Sequence, residues 1–278
     1  MKIWFSDFWP GFCGEYFRRV ISLATSKEVF IDPNPDILFY SVFGSNHENY
    51  RCRKVLYTGE TRKSEGYHLS LSFDADSFNN VRLPLWVMYI DWFNVGYNGG
   101  RSPGYLVPYD NLINRNKNSE EIFCNFIYNN NSGPRVDFLN KLSRYLSVTS
   151  LGSLCNNAYR LGGDEKQKID FQSKCKFSIA FENTYYNGYV TEKILHPFAA
   201  GSIPIYWGSN VVKKDFNSKS FIYANDFGTL DDLVSYVKSV NENRELYESY
   251  LKEPCFYNNT ISEEFLPISI GRKIMEKI

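Results

Sequence analysis

Between Phe177 and Gly208 the hydrophobic period changes from two to a helical pattern and back again, and few folds accommodate that order. Phe177, Ile179 and Phe181 alternate with Ser178, Ala180 and Glu182 and lead into Asn183, which predicts a strand. A polar loop from Thr184 to Val190 follows, where Gly188 is free to adopt backbone angles that other residues resist. Thr191 is a good helix N-cap, and Gly201 is a natural stop about two and a half turns later. A second strand opens at Ile203. Glu192 and Lys193 therefore fall in the first turn of a helix, at the carboxyl end of a strand. Open α/β sheets bind ligands at that position, and free helix N–H groups attract anions there. Lys193, Glu192, Asn183 and Tyr189 bring a cation, a carboxylate, an amide and a phenol together without a Gly-rich phosphate loop. The expected ligand is phosphorylated and rich in hydroxyls. Pro197 would remove a backbone bond at the sixth helical position, which predicts a kink or a single short turn.

The rest of the chain extends the α/β pattern. Strands are predicted at Lys2 to Ser6, Asp36 to Phe43, Lys54 to Tyr57 and His68 to Phe73, with a helix at Glu15 to Ala24. Near-continuous apolar strands between helices argue for parallel sheets covered on both faces. A second series starts at Ile122 to Ile127 and includes a helix after Arg135, the segment already described, a strand at Phe221 and helical patterns at Leu230 to Val240 and Glu242 to Lys252. Between the two series, residues 94–120 are rich in Gly, Asn and Pro, which places the connection there. The expected domains are residues 1–115 and 116–278, with the helical C-terminal segment crossing back onto the first.

Composition excludes several classes. With 278 residues, 43% hydrophobic and 22% charged, the chain is long enough for two ordinary domains and is not of the disordered class. Its formal net charge is +0, so it lacks the basic field of a nucleic-acid binder. No basic and apolar leader opens the sequence and no apolar run approaches roughly 18 residues, so no transmembrane segment is expected and a soluble, cytoplasmic protein is. Cysteines 13, 52, 124, 155, 175 and 255 show no metal-like clustering and read as reduced and mostly buried.

Phe181-Glu182-Asn183, followed by Gly188 to Ile194, resembles the motif of the α-1,3/4-fucosyltransferases, and Ser202 to Phe221 continues like the bacterial members. Val55 to Glu60 resembles the family's segment bearing its proposed base, and Pro134-Arg135 resembles its phosphate-contacting arginine region. These blocks lie in order over residues 55–221. The resemblance implies a GT-B architecture: two Rossmann-like domains whose parallel sheets face a central cleft, the first binding acceptor and the second GDP-fucose. It implies an inverting α-1,3-fucosyltransferase that moves L-fucose from GDP-β-L-fucose to a GlcNAc hydroxyl of a lactosamine-type glycan. No cofactor is required in that scheme; a metal ion could stimulate but is not needed.

On its spacing alone Glu60 reads as a solvated loop carboxylate, whereas the family match makes it the base that takes the acceptor's proton. Arg135 and Lys193 alone would read as surface cations; with a helix N-terminus they suit a departing diphosphate, where fixed charge acts mainly in the transition state. Glu192 suits sugar hydroxyls, and Asn183 and Tyr189 suit positioning of the donor. Glu182 faces opposite to Asn183 and is either structural or a second carboxylate of the site. Asp74-Ala75-Asp76 could hold a metal ion, but the following Ser77 to Asn80 reads as turn chemistry. A metal-dependent transferase using Asp74 and Asp76 with another nucleotide-sugar donor, and a non-catalytic glycan-binding protein on a GT-B frame, are the alternatives.

Overall fold

Strands that are apolar on both faces need helices on both sides of the sheet, and the chain builds such a layer twice. The computed structural model describes residues 1–61, 66–97, 102–115 and 120–278. Two units result: Met1–Leu106 with Ile261–Ile278, and Val107–Thr260. The division falls after Leu106 rather than after residue 115, and the C-terminal residues belong to the first unit.

The first unit contains β1 (Lys2–Ser6), α1 (Glu15–Thr25), β2 (Phe30–Ile31), β3 (Ile37–Tyr40), β4 (Arg53–Tyr57), β5 (Leu69–Ser72), β6 (Asn80–Arg82), α2 (Leu85–Met88) and β7 (Ile90–Asp91). Its sheet runs β2-β1-β3-β4-β5-β6 and is parallel throughout. Every residue of β3 and β5 is buried, and α1 buries Phe17, Val20 and Ile21. Residues 77–80, read as a turn, end in a strand, because Asn80 pairs with Ser70 as β6 begins. Its amide satisfies the turn from within: Nδ2 donates to the carbonyls of Asp74 and Ala75, and Oδ1 accepts from the Ser72 hydroxyl at 2.8 Å.

The second unit contains β8 (Val107–Pro108), α3 (Tyr109–Ile113), β9 (Ile122–Phe126), α4 (Arg135–Leu142), β10 (Val148–Ser150), α5 (Glu165–Gln172), β11 (Cys175–Phe181), α6 (Glu192–Ala199), β12 (Ile203–Trp207), α7 (Val212–Asp215), β13 (Ile222–Tyr223), α8 (Leu230–Glu242) and α9 (Arg244–Lys252). Its parallel sheet runs β10-β9-β11-β12-β13. Phe126, Phe177, Phe181 and Ile205 form its core with Phe138 of α4 and Leu233 and Val237 of α8. A Thr229–Asp232 capping box starts α8. In both units strand order reverses beside the opening strand, between β1 and β3 and between β9 and β11. Ligands bind α/β sheets at the carboxyl ends of such a switch point.

The last helix, α10 (Pro267–Lys277), lies on α1 through Gly271, where an added Cβ would come within 2.5 Å of the Val20 carbonyl oxygen and 2.7 Å of Ala24 Cβ. Among the described residues no helix is long and apolar enough to cross a membrane. Cys13, Cys124, Cys175 and Cys255 are buried, Cys52 is partly buried and Cys155 is exposed. Because backbone blocks the space beside Gly271, Gly271→Ala must push α10 away from α1 and lower stability by about 1–3 kcal/mol. Chemical denaturation should show an earlier midpoint, and an unchanged midpoint would contradict this packing.

Candidate functional site

β11 ends at Phe181, so Glu182 and Asn183 leave the second unit's sheet at its switch point. Glu182 is fully buried, and a buried carboxylate is stable only with partners. Its Oε1 accepts the Thr191 N–H at 2.8 Å and the Tyr206 hydroxyl at 3.3 Å, while the Thr191 hydroxyl lies 3.0 and 2.8 Å from its two oxygens. These bonds tie the end of the polar loop to the end of the strand. Gly188, at φ +85°, turns that loop and donates its N–H to the Ser209 hydroxyl at 2.9 Å.

Thr191 is the N-cap of α6, its hydroxyl accepting the Lys193 N–H. Lys193 Nζ then lies 3.1 Å from Thr191 Oγ1, 3.3 Å from Glu192 Oε1 and 3.5 Å from Glu182 Oε2. α6 runs through Pro197 and ends two residues later, so the proline removes a single backbone bond near the helix end. Gly201, at φ +67°, follows.

Burial works against the charge of Lys193, but Glu192 and Glu182 overcome it and hold the ammonium protonated. Burial also works against Glu192, yet Lys193 and Lys168 bring its carboxyl down to about 2. Burial pushes the Glu182 carboxyl up, with Lys193 opposing. The cluster thus presents one fixed cation and one ionised carboxylate at the mouth of the sheet, over a buried carboxylate that pairs with the lysine.

The expected role of Arg135 as a direct phosphate contact needs a different emphasis. Its side chain is 1% exposed, because α4 begins at Arg135 itself and the guanidinium runs beneath the strand ends. Its Nη atoms donate to the carbonyls of Asn130 at 3.0 Å and Phe181 at 2.8 Å and to Asn183 Oδ1 at 2.7 Å, and its centre lies 4.0 Å from the Tyr128 ring centroid. Arg135 therefore ties the loop after β9 to the end of β11 and holds the Asn183 side chain by its Oδ1. Asn183 is exposed, whereas Tyr189 is 3% exposed and its carbonyl accepts the Tyr206 hydroxyl.

In the first unit, Glu60 is exposed in the turn after β4. The buried Thr58 shapes that turn: its hydroxyl donates to the Glu60 carbonyl at 3.1 Å and accepts the Glu60 N–H at 3.2 Å. Asp76 accepts the Arg82 N–H at 2.6 Å and pairs with Lys273 Nζ at 2.7 Å. Among the described residues no group of three or more His, Cys, Asp and Glu side chains is arranged to hold a metal ion.

Two contributors are not evident from the sequence pattern. Lys168 lies on α5, whose few apolar residues, Ile169 and Phe171, give almost no helical stripe; the one clear signal is Asp164, which caps the helix by accepting the Lys166 N–H. Tyr128 lies just beyond β9, where its hydroxyl donates to the Ile179 carbonyl at 2.9 Å and accepts the Phe181 N–H at 2.6 Å. A lone tyrosine in a loop gives no sign of either bond.

Two parallel α/β units with charged residues at the strand ends are the architecture of GT-B type glycosyltransferases. A crystal structure of an alpha1,3-fucosyltransferase with GDP-fucose matches at a TM-score of 0.72 and 26% identity, covering 100% of this chain and 90% of that one. The family model for the C-terminal part of glycosyltransferase family 10 (fucosyltransferase) matches residues 114–271, more than half of the chain, and the alpha-(1,3)-fucosyltransferase FucT N-terminal domain matches residues 3–89. The chain belongs to glycosyltransferase family 10, the fucosyltransferases. It is 32% identical to the alpha-(1,3)-fucosyltransferase FucT of Helicobacter pylori, over 86% of this chain and 56% of that protein. It is 33% identical to 4-galactosyl-N-acetylglucosaminide 3-alpha-L-fucosyltransferase 9 of Mus musculus, over 47% of this chain and 36% of that protein. The chain thus spans about half, or less, of the length of these curated relatives.

His196, on the buried side of α6, provides a pH test of the cluster. Burial and the positive charge of Lys168 lower its imidazole to about 3, against an ordinary value of 6.5. The unfolded chain takes up that proton first, so stability falls as pH drops below about 6.5, by about 2 kcal/mol at pH 5. Glu192 acts in the same direction further into acid. The melting temperature should fall from pH 7 to pH 5, and fall less in His196→Gln. Equal losses in the two proteins would contradict the assignment.

Proposed function

We propose that this chain is an inverting α-1,3-fucosyltransferase that moves L-fucose from GDP-β-L-fucose to a GlcNAc hydroxyl of a lactosamine-type glycan. The observation that carries this reading is Lys193, held charged by Glu192 and Glu182 and positioned by the Thr191 hydroxyl, at a helix N-terminus and a sheet switch point. Such a fixed cation suits a nucleoside diphosphate gaining charge as it leaves. The solved relative contains GDP-fucose, and the murine relative's name describes transfer to a galactosyl-N-acetylglucosaminide. In this reading the second unit binds the donor and the first binds the acceptor.

Glu60 takes the proton of the acceptor hydroxyl as its oxygen attacks the fucose anomeric carbon on the face opposite the diphosphate. The bond between that carbon and the β-phosphate oxygen breaks, and GDP leaves with the electron pair. Lys193 meets the developing phosphate charge, Glu192 accepts from sugar hydroxyls, and Asn183 donates from its amide with Arg135 fixing it from behind. Tyr189 supports the same loop. No cofactor enters these steps, and the commitment of Asp76 to Arg82 and Lys273 favours a scheme without a metal ion.

Glu60→Gln should lower transfer by at least about 100-fold while GDP affinity by calorimetry stays unchanged; near-normal turnover would remove Glu60 from this role. Lys193→Ala should weaken GDP binding by about 10- to 100-fold, the loss of one or two charge-assisted bonds. A melting curve recorded alongside separates that loss from unfolding. Turnover that disappears in EDTA would instead favour the metal-dependent alternative.

A further inference from the structure

An open recess of about 180 Å³ lies beside Glu60 in the first unit, walled by Trp9, Phe43, Leu85 and Tyr89. It is smaller than the roughly 300–1,000 Å³ of pockets that enclose a drug-sized ligand, so it suits one sugar ring with the remainder outside. Three aromatic residues and one acidic residue, Glu60, line the same space.

The aromatic wall is held in place from behind. Trp9 packs edge-on against Phe12 at 4.9 Å and Phe43 at 6.2 Å, and its ring lies 6.3 Å from that of the fully buried Tyr57. Phe8 stacks on Phe12 at 3.7 Å, extending the support. Asp7 sets the loops that carry both rings. At φ +59° it adopts the left-handed conformation, its carbonyl accepts the Phe43 N–H at 3.0 Å, and its carboxylate accepts the N–H groups of Asn46 and His47. Two costs are borne there. A non-glycine residue has positive φ, and the Trp9 indole N–H is buried with no acceptor among the described residues. Phe43 nonetheless stays 44% exposed at the recess, where burying it would have been favourable.

We propose that Trp9, with Phe43 and Tyr89, is the platform on which the acceptor pyranose lies, apolar C–H face against the rings, so that the ring's hydroxyl reaches Glu60. This rests on the fucosyltransferase reading and adds to it the residues that select the acceptor. A rigid aromatic wall discriminates among sugars by the continuity of their C–H faces, while the carboxylate reads the hydroxyl.

The test is a kinetic split on the full chain with GDP-fucose and N-acetyllactosamine. Trp9→Ala should raise the acceptor KM by about tenfold or more and Phe43→Ala severalfold, with Trp9→Phe retaining most of the wild-type value. The KM for GDP-fucose and its slow hydrolysis without acceptor should not change in any variant. An unchanged acceptor KM in Trp9→Ala, or a donor KM that rises in parallel, would overturn the platform. If Trp9→Ala does not fold, Phe43→Ala decides, since its ring is half-exposed; an unchanged acceptor KM there overturns it equally. Wild-type protein that leaves GDP-fucose intact with every acceptor would instead overturn the reading beneath.

Discussion

A carboxylate buried at the end of a strand is unstable unless its oxygens are filled, and Glu182 is filled by the residue that starts the next helix. The N–H and hydroxyl of Thr191 occupy it, and the same hydroxyl lies 3.1 Å from Lys193 Nζ. One group therefore closes the loop, sets the helix N-terminus and leaves the lysine with a short range of movement. Losing its partners would strand a buried charge, so strand end and helix start must form together.

Arg135 does the corresponding work on the other side of the switch point. It is a cation spent almost entirely on backbone carbonyls and one amide, beneath the ends of β9 and β11. Long-range attraction to an anion above is compatible with that position, but its shorter-range effect is to immobilise Asn183. Buried charge here fixes geometry first and supplies field second.

Beside Glu60 the first unit uses aromatic packing, where the second uses ion pairs around Lys193. Trp9 and Phe43 are positioned by Asp7 and a stack of phenylalanines, and Glu60 by the Thr58 turn. That contrast follows from the chemistry each unit would meet in the proposed reaction: a diphosphate demands fixed charge, while a neutral sugar presents C–H faces and hydroxyls.

Sequence alone determined the elements whose periodicity is strong. The alternation of Phe177, Ile179 and Phe181, the Thr191 cap and the Gly201 stop are visible because each depends on neighbours within a few residues. The same holds for the parallel class, since doubly buried strands such as Ile37–Tyr40 are apolar throughout. Tertiary structure alone decided what the polar residues do. Whether Glu182 binds ligand or loop, whether Arg135 faces outward or runs under two strands, and that Lys168 and Trp9 stand beside the candidate sites all depend on partners distant in sequence. Hydrophobic period records which face is buried; it carries no record of which donor, 9 or 46 residues away, meets a given oxygen.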